Sequence, residues 1–208
     1  MKKKERRRMK TLIAIPAMEQ MFSWTVQCLE KLRRVGECET EFVIRAAVDT
    51  ARNILAKKAL EGGFDRILWI DSDMSFEPDM MERLSADLDA GWDVVTGIYF
   101  KRTFPVEPVI YKALDMEKER DRAETYWDYP QDAVFPVAGF GFGGVMMRTD
   151  ILLSLNEAPF DCYPGMSEDL SFCVRMAEQG NRMACDSRVK LGHCGTILFS
   201  EKLYKRPE

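Results

Sequence analysis

The chain has 208 residues, 46% of them hydrophobic and 31% charged, with 12 Phe, 6 Tyr and 4 Trp. That is enough apolar material for one packed domain and far too many aromatic rings for a disordered chain. The net charge is −4, yet the first ten residues hold seven basic side chains and one acidic one, so the remaining body carries about −10 and is poorly suited to nucleic acid.

In chain order, the basic start MKKKERRRMK is similar to the first part of a secretory signal. The following TLIAIPA does not continue one, because it is short, contains Pro16 and runs into Glu19 and Gln20. A cytoplasmic protein is expected, its basic tail solvated or touching an anionic membrane or polymer. The longest uncharged stretch, residues 133–147, is broken by Pro136 and several glycines and falls short of the roughly 20 residues of a membrane span. Six cysteines, at 28, 38, 162, 173, 185 and 194, form no compact framework and read as reduced thiols.

Residues 11–16 (TLIAIP) form a continuous apolar run of strand length, and residues 21–35 have helical spacing stopped by Gly36. A second strand is expected over residues 41–46. Asp49 is then the expected N-cap of a helix that reaches Glu61 and closes at Gly62-Gly63. RILWI at 66–70 reads as a buried strand, Pro78 as the start of a helix through Ala90, and residues 93–96 as another strand. Strand and helix alternating in this way indicate an open α/β sheet.

The second half is less regular. Residues 104–111 are extended and proline-bearing, and the charge run 115–124 reads as a solvated helix or a loop. Residues 138–149 are glycine-rich and apolar, 167–179 are helical, and 183–185 and 189–191 are two short strands. Phe140 and Phe142, between the glycines, suit either core packing or contact with a sugar ring.

Asp71-Ser72-Asp73 follows the buried strand directly. Carboxylates at i and i+2 leave the carboxyl edge of a sheet on one side, where open α/β folds bind ligands. They repel unless a cation lies between them, and oxygen ligands suit Mg²⁺ or Mn²⁺. An exposed turn is the plainer reading.

The stretch ILWIDSDMSFEPDMMERL resembles the nucleotide-sugar half of the GT-A-fold glycosyltransferases. TLIAIPA, DTARNILAKKAL, GFGFGGVMMRTDIL and MSEDLSFCVRMAEQG fall in the order that family uses. The resemblance implies a single-domain, Rossmann-like, mostly parallel twisted sheet flanked by helices, with an irregular acceptor-side second half. Residues 1–10 would be a tail, 11–198 the transferase domain (11–100 donor half, 101–198 acceptor half), and 199–208 a second tail.

The implied reaction is metal-dependent transfer of a sugar from a nucleoside-diphosphate sugar to an unknown hydroxyl acceptor. Asp73 would bind Mn²⁺ or Mg²⁺ directly, Asp71 would face the ribose or reach the ion through water, and His193 would complete the ligand set. Pro16 and Ser72 would border the nucleotide, Arg52 would neutralise phosphate, and Asn53 would bind a base or sugar. Lys101 or Arg102 would add a cation at the diphosphate, and Gly143 and Gly144 would let backbone approach the donor. Asp169 is the implied base if the reaction inverts configuration, with Glu168 orienting sugar or acceptor; retention remains open. Residues 116–127 and the chain after His193 are expected to order over bound donor. A nucleotidyltransferase is the alternative enzyme, although IPAMEQMF lacks its Gly-rich basic loop, and a non-catalytic binding module is the third option.

Overall fold

The computed structural model describes residues 8–118, 122–195 and 200–204, the side chain of Leu203 excepted. In chain order, the first half holds β1 (Lys10–Ala17), α1 (Ser23–Lys31), β2 (Glu37–Ile44), α2 (Val48–Glu61), β3 (Arg66–Ile70), β4 (Met74–Ser75), α3 (Met80–Asp89) and β5 (Val94–Ile98). The second half adds β6 (Ile110–Leu114), β7 (Ala123–Thr125), β8 (Val134–Pro136), β9 (Gly139–Phe140), β10 (Gly144–Arg148), α4 (Glu168–Glu178), β11 (Met183–Lys190) and β12 (Gly192–His193).

The main sheet has seven strands in the order β2-β1-β3-β10-β5-β11-β8. Five run one way, and β10 and β8 oppose them, so the expected mostly parallel α/β sheet is present. The apolar runs alternate across it. Leu12, Ala14, Ile67 and Trp69 face α2 and α4, whose Leu55, Ala56, Phe172 and Met176 complete one core. Ile13, Ile15, Leu68 and Ile70 face the other core, filled by Met80, Met81 and Leu84 of α3 with Leu29 of α1 at its border. Trp69, Phe142, Phe160 and Phe172 pack edge-to-face or stacked at 4.7–5.9 Å between ring centres.

Several expected boundaries move. β2 begins at Glu37 rather than 41, because its whole length pairs with β1 while the acidic side chains lie at a solvated sheet edge. Helix α1 spans Ser23–Lys31 only, and α3 starts at Met80, two residues after Pro78. Asp49 does not cap α2; Ala47 holds that position, and the Asp49 carboxylate accepts the Thr50 N–H at 2.6 Å inside the first turn. The two short strands near the end are one, β11, with an irregularity between Asp186 and Lys190. Its polar interior is tolerated because Arg188 bonds Asp186 at 2.8 Å and Ser187 bonds the carbonyls of Pro130 and Ala133.

Among the described residues the charge run takes the loop alternative, as the connection between two strands. It links the antiparallel strands β6 and β7, joined to each other by Lys112 and Glu124 at 2.8 Å, while residues 119–121 lie outside the described residues. So do most of the basic tail and residues 196–199 and 205–208. Among the described residues no helix is long and apolar enough to cross a membrane, and all six cysteines are free thiols.

Candidate functional site

A cleft of about 380 Å³ opens at the carboxyl ends of three neighbouring strands. Pro16 and Ala17 end β1 and Met18 follows it, Ala46, Ala47 and Val48 lead from β2 into α2, and Asp71, Ser72 and Asp73 follow β3. Arg102 and His193 close the remaining side. This is the crevice that an open α/β sheet offers to a ligand. A larger hollow of about 460 Å³ lies at the opposite edge, near Phe64 and Arg66. Its charged groups are consumed by each other or by neighbours, as in Arg148–Asp150 and Arg66–Asp89.

His193 reaches the cleft by strand pairing. β12 runs antiparallel to β4, which sets His193 opposite Met74 and beside Asp73, and the Cys194 N–H donates to the Asp73 carbonyl at 2.6 Å. The imidazole Nδ1 lies 3.1 Å from the Phe100 carbonyl, which can only accept, so this nitrogen carries a proton. Nε2 then faces Asp73 Oδ2 at 3.3 Å. Arg102 reaches the same oxygen at 3.0 Å and also donates to the Cys194 carbonyl. Burial pushes the Asp73 carboxyl up, but the His193 bond and the charges of His193 and Arg102 outweigh it and hold the group below the usual range.

This donor set fits a hard divalent ion. One carboxylate oxygen stands beside an imidazole nitrogen whose other nitrogen is fixed by a backbone carbonyl, the usual support of a metal-binding histidine. Neighbouring ligands of a six-coordinate ion with bonds of about 2.1 Å lie about 3 Å apart, close to this spacing. Asp71, expected to face the ribose or to reach the ion through water, has one oxygen engaged. Asp71 Oδ1 is held by Arg52 Nη2 at 3.0 Å, and among the described residues no three His, Cys, Asp or Glu side chains converge on one point.

Arg52 is where the structure departs furthest from a surface phosphate binder. Its side chain is 2% exposed, lies under the Phe142 ring at 4.9 Å, and joins Asp71 to Glu168, whose Oε1 is 3.4 Å from Nε. Burial opposes its charge, but Asp71, Glu168 and Asp169 outweigh burial and hold the proton more firmly than usual. Burial likewise raises the Asp71 carboxyl, with Arg52 opposing. The position on α2 follows from the helical face shared with Ala51, Leu55, Ala56 and Ala59.

The other expected residues divide. Pro16 and Ser72 line the cleft, and the Ser72 carbonyl also accepts the Phe22 N–H at 3.1 Å. Asn53 does not face it: its amide bonds Asp161 and the Phe160 N–H, both at 2.9 Å, and ties α2 to the segment before α4. Lys101 turns to Glu107 at 2.6 Å, leaving Arg102 as the cation beside Asp73. Gly143 and Gly144 pack against protein: added Cβ atoms would come within 2.9 Å of Met74 and 2.5 Å of Leu191. The Gly143 carbonyl does accept the Asp71 N–H at 3.3 Å, so the glycine segment positions the carboxylate from behind. Phe140 and Phe142 are core. Asp169 accepts the Leu170 N–H at 2.8 Å and the Ser167 hydroxyl, as a first-turn residue does, and Glu168 faces Arg52.

Two contributors carry little signal in the sequence. Residues 46–48 form a wall of the cleft with small or exposed apolar side chains, visible only as the end of a strand. Tyr99 packs edge-on to His193 at 5.7 Å and accepts the Gly143 N–H at 3.3 Å; burial beside Asp71 and Asp169 pushes its hydroxyl pKa well up.

No family model and no curated protein sequence matches the chain. Solved structures do. The protein A197 from STIV aligns over 96% of this chain and 98% of its own at a TM-score of 0.69 and 19% identity. GalNAc-T7, solved with UDP, GalNAc and Mn²⁺, aligns over 97% of this chain and 45% of its own, at a TM-score of 0.63 and 11% identity. At these identities the likeness is one of fold, and the fold is GT-A-like.

Proposed function

We propose that the chain is a metal-dependent glycosyltransferase that moves a sugar from a nucleoside-diphosphate sugar to an acceptor hydroxyl. One observation carries this reading: Asp73 and His193, 3.3 Å apart at the carboxyl edge of a GT-A-like sheet, with the outer imidazole nitrogen fixed by a backbone carbonyl. The GalNAc-T7 structure of similar fold holds UDP and Mn²⁺, which supports the ligand class.

Asp73 and His193 would hold Mn²⁺ or Mg²⁺, leaving positions for water and diphosphate oxygens. When bound, such an ion supplies Lewis-acid stabilisation of the charge that develops on the departing diphosphate. The walls formed by Pro16, Ala17, Met18 and residues 46–48 receive the nucleoside. Arg52 holds Asp71 towards the ribose and Glu168 towards the acceptor side with one buried guanidinium. Asp169 would take the acceptor proton in an inverting reaction through the oxygen not engaged with its own helix terminus.

The test is incubation with a panel of nucleoside-diphosphate sugars and Mn²⁺, with and without chelator, scored for nucleoside diphosphate. Metal-dependent release from one donor, lost in Asp73→Asn, is the expected result. Pyrophosphate from a nucleoside triphosphate would indicate nucleotidyl transfer instead, and silence throughout would point to a binding module.

A further inference from the structure

We infer that Arg102 is an exchangeable internal counter-ion: it neutralises Asp73 in the empty cleft and moves onto the diphosphate once a divalent ion takes that carboxylate. The inference rests on the glycosyltransferase reading and adds a coupling between metal and nucleotide within the same site.

The argument begins at one oxygen. Asp73 Oδ2 is contacted by Arg102 Nη1 at 3.0 Å and faced by His193 Nε2 at 3.3 Å. A hard cation bound between Asp73 and His193 needs that oxygen, and a guanidinium held against it would both compete for the lone pairs and repel the incoming charge. The Asp73 side chain is only 18% exposed, so without some cation a bare carboxylate would be poorly solvated there. Arg102 supplies the positive charge until an ion does.

The two arginines of the site differ in what they can do next. Arg52 is locked, at 2% exposure between two carboxylates and an aromatic face. Arg102 is 43% exposed, lines the mouth of the cleft, and is otherwise held through its side chain by the Cys194 carbonyl at 3.0 Å. Its backbone is anchored separately: the Lys101 N–H donates to the Glu107 carbonyl at 2.9 Å, and Phe100 bridges Pro108. The guanidinium can therefore rotate without repacking the core. Displaced from Asp73, its planar fork matches phosphate oxygens with two parallel bonds.

Two opposite effects of one substitution follow. Mn²⁺ alone is titrated into the native chain and Arg102→Gln and followed by electron paramagnetic resonance, with Asp73→Asn marking the site. Arg102→Gln should bind Mn²⁺ about tenfold more tightly than the native chain, since the ion pair with Asp73 no longer has to be broken. At saturating Mn²⁺, calorimetry with UDP, GDP, ADP and CDP should show the best binder weakened about tenfold. Arg102→Lys keeps the charge without the fork, so it should bind Mn²⁺ like the native chain and still lose diphosphate affinity. Equal Mn²⁺ affinity in native and Arg102→Gln chains, or undiminished diphosphate affinity, overturns the exchange and leaves the transferase reading standing. Absence of any Mn²⁺ site sensitive to Asp73→Asn overturns both.

Discussion

At Arg52 a full positive charge sits at 2% exposure, balanced by Asp71 at 3.0 Å and Glu168 at 3.4 Å, with Nη1 buried and unpartnered. Removing one side of a buried pair leaves the other side uncompensated, which costs more than the pair contributes. Arg52→Met should therefore destabilise the chain by about 3–5 kcal/mol in urea unfolding. The prediction fails if the loss is that of an ordinary surface arginine. Asp73 is the contrasting case, half-buried and placed for a ligand rather than for the core. Asp73→Asn loses its ion pairs with Arg102 and His193 and should cost only about 1 kcal/mol of stability, but reduce nucleoside diphosphate release by about 10³-fold or more, measured at saturating donor and Mn²⁺.

Helix α3 and strand β11 share a buried acidic pair that the proposed chemistry does not use. Asp87 is 7% exposed and Asp186 fully buried, with Arg188 bonding both, at 3.2 Å and 2.8 Å. Burial and the neighbouring Asp186 push the Asp87 carboxyl up to about 7. The folded chain thus keeps a proton that the unfolded chain has already released between its ordinary value of 3.8 and about 7. Stability falls as pH rises through that window and levels off above it. Asp87→Asn should remove most of the difference between pH 5 and pH 8.5 in thermal melts; an unchanged pH profile would refute the assignment. At the opposite side of the sheet, β2 is the edge strand among the described residues, and its Glu37, Glu39 and Glu41 share one face. A second copy pairing antiparallel would set these acids against one another. Replacing all three with Thr should yield larger species in sedimentation velocity than the native chain.

Across the whole molecule, the last described residues close the second half instead of trailing from it. Tyr204 lies against Phe100 at 5.1 Å and stacks on Trp127 at 6.2 Å, and Glu201 meets Lys190 at 2.7 Å. Residues 200–204 therefore bind the proline-bearing segment after β5, the β7–β8 connection and β11 together. Deleting residues 200–208 should lower stability by about 1–3 kcal/mol in urea unfolding. A deletion without measurable cost would restore the reading of residues 199–208 as a tail.

The sequence by itself determined the parts of this protein that depend on neighbours in the chain. RILWI had to be a strand buried on both faces, and the aspartates after it had to emerge at the sheet's carboxyl edge, because side-chain alternation and strand direction are local properties. The helices at 48–61 and 168–178 were legible from periodicity to within a residue or two. Tertiary structure decided what each charged or polar group faces. Strand β10 enters antiparallel between β3 and β5, which brings Gly143 behind Asp71 and makes the glycines core rather than donor surface. Arg52 meets a partner 116 residues away, and Asn53 one 108 residues away, so neither side chain could be assigned from its own helix. The choice of Arg102 over Lys101 turns on adjacent residues of one segment, of which one finds Glu107 and the other Asp73. Such pairings come from the packing of distant elements, and a linear pattern records which residues can carry charge but not where each charge will be balanced.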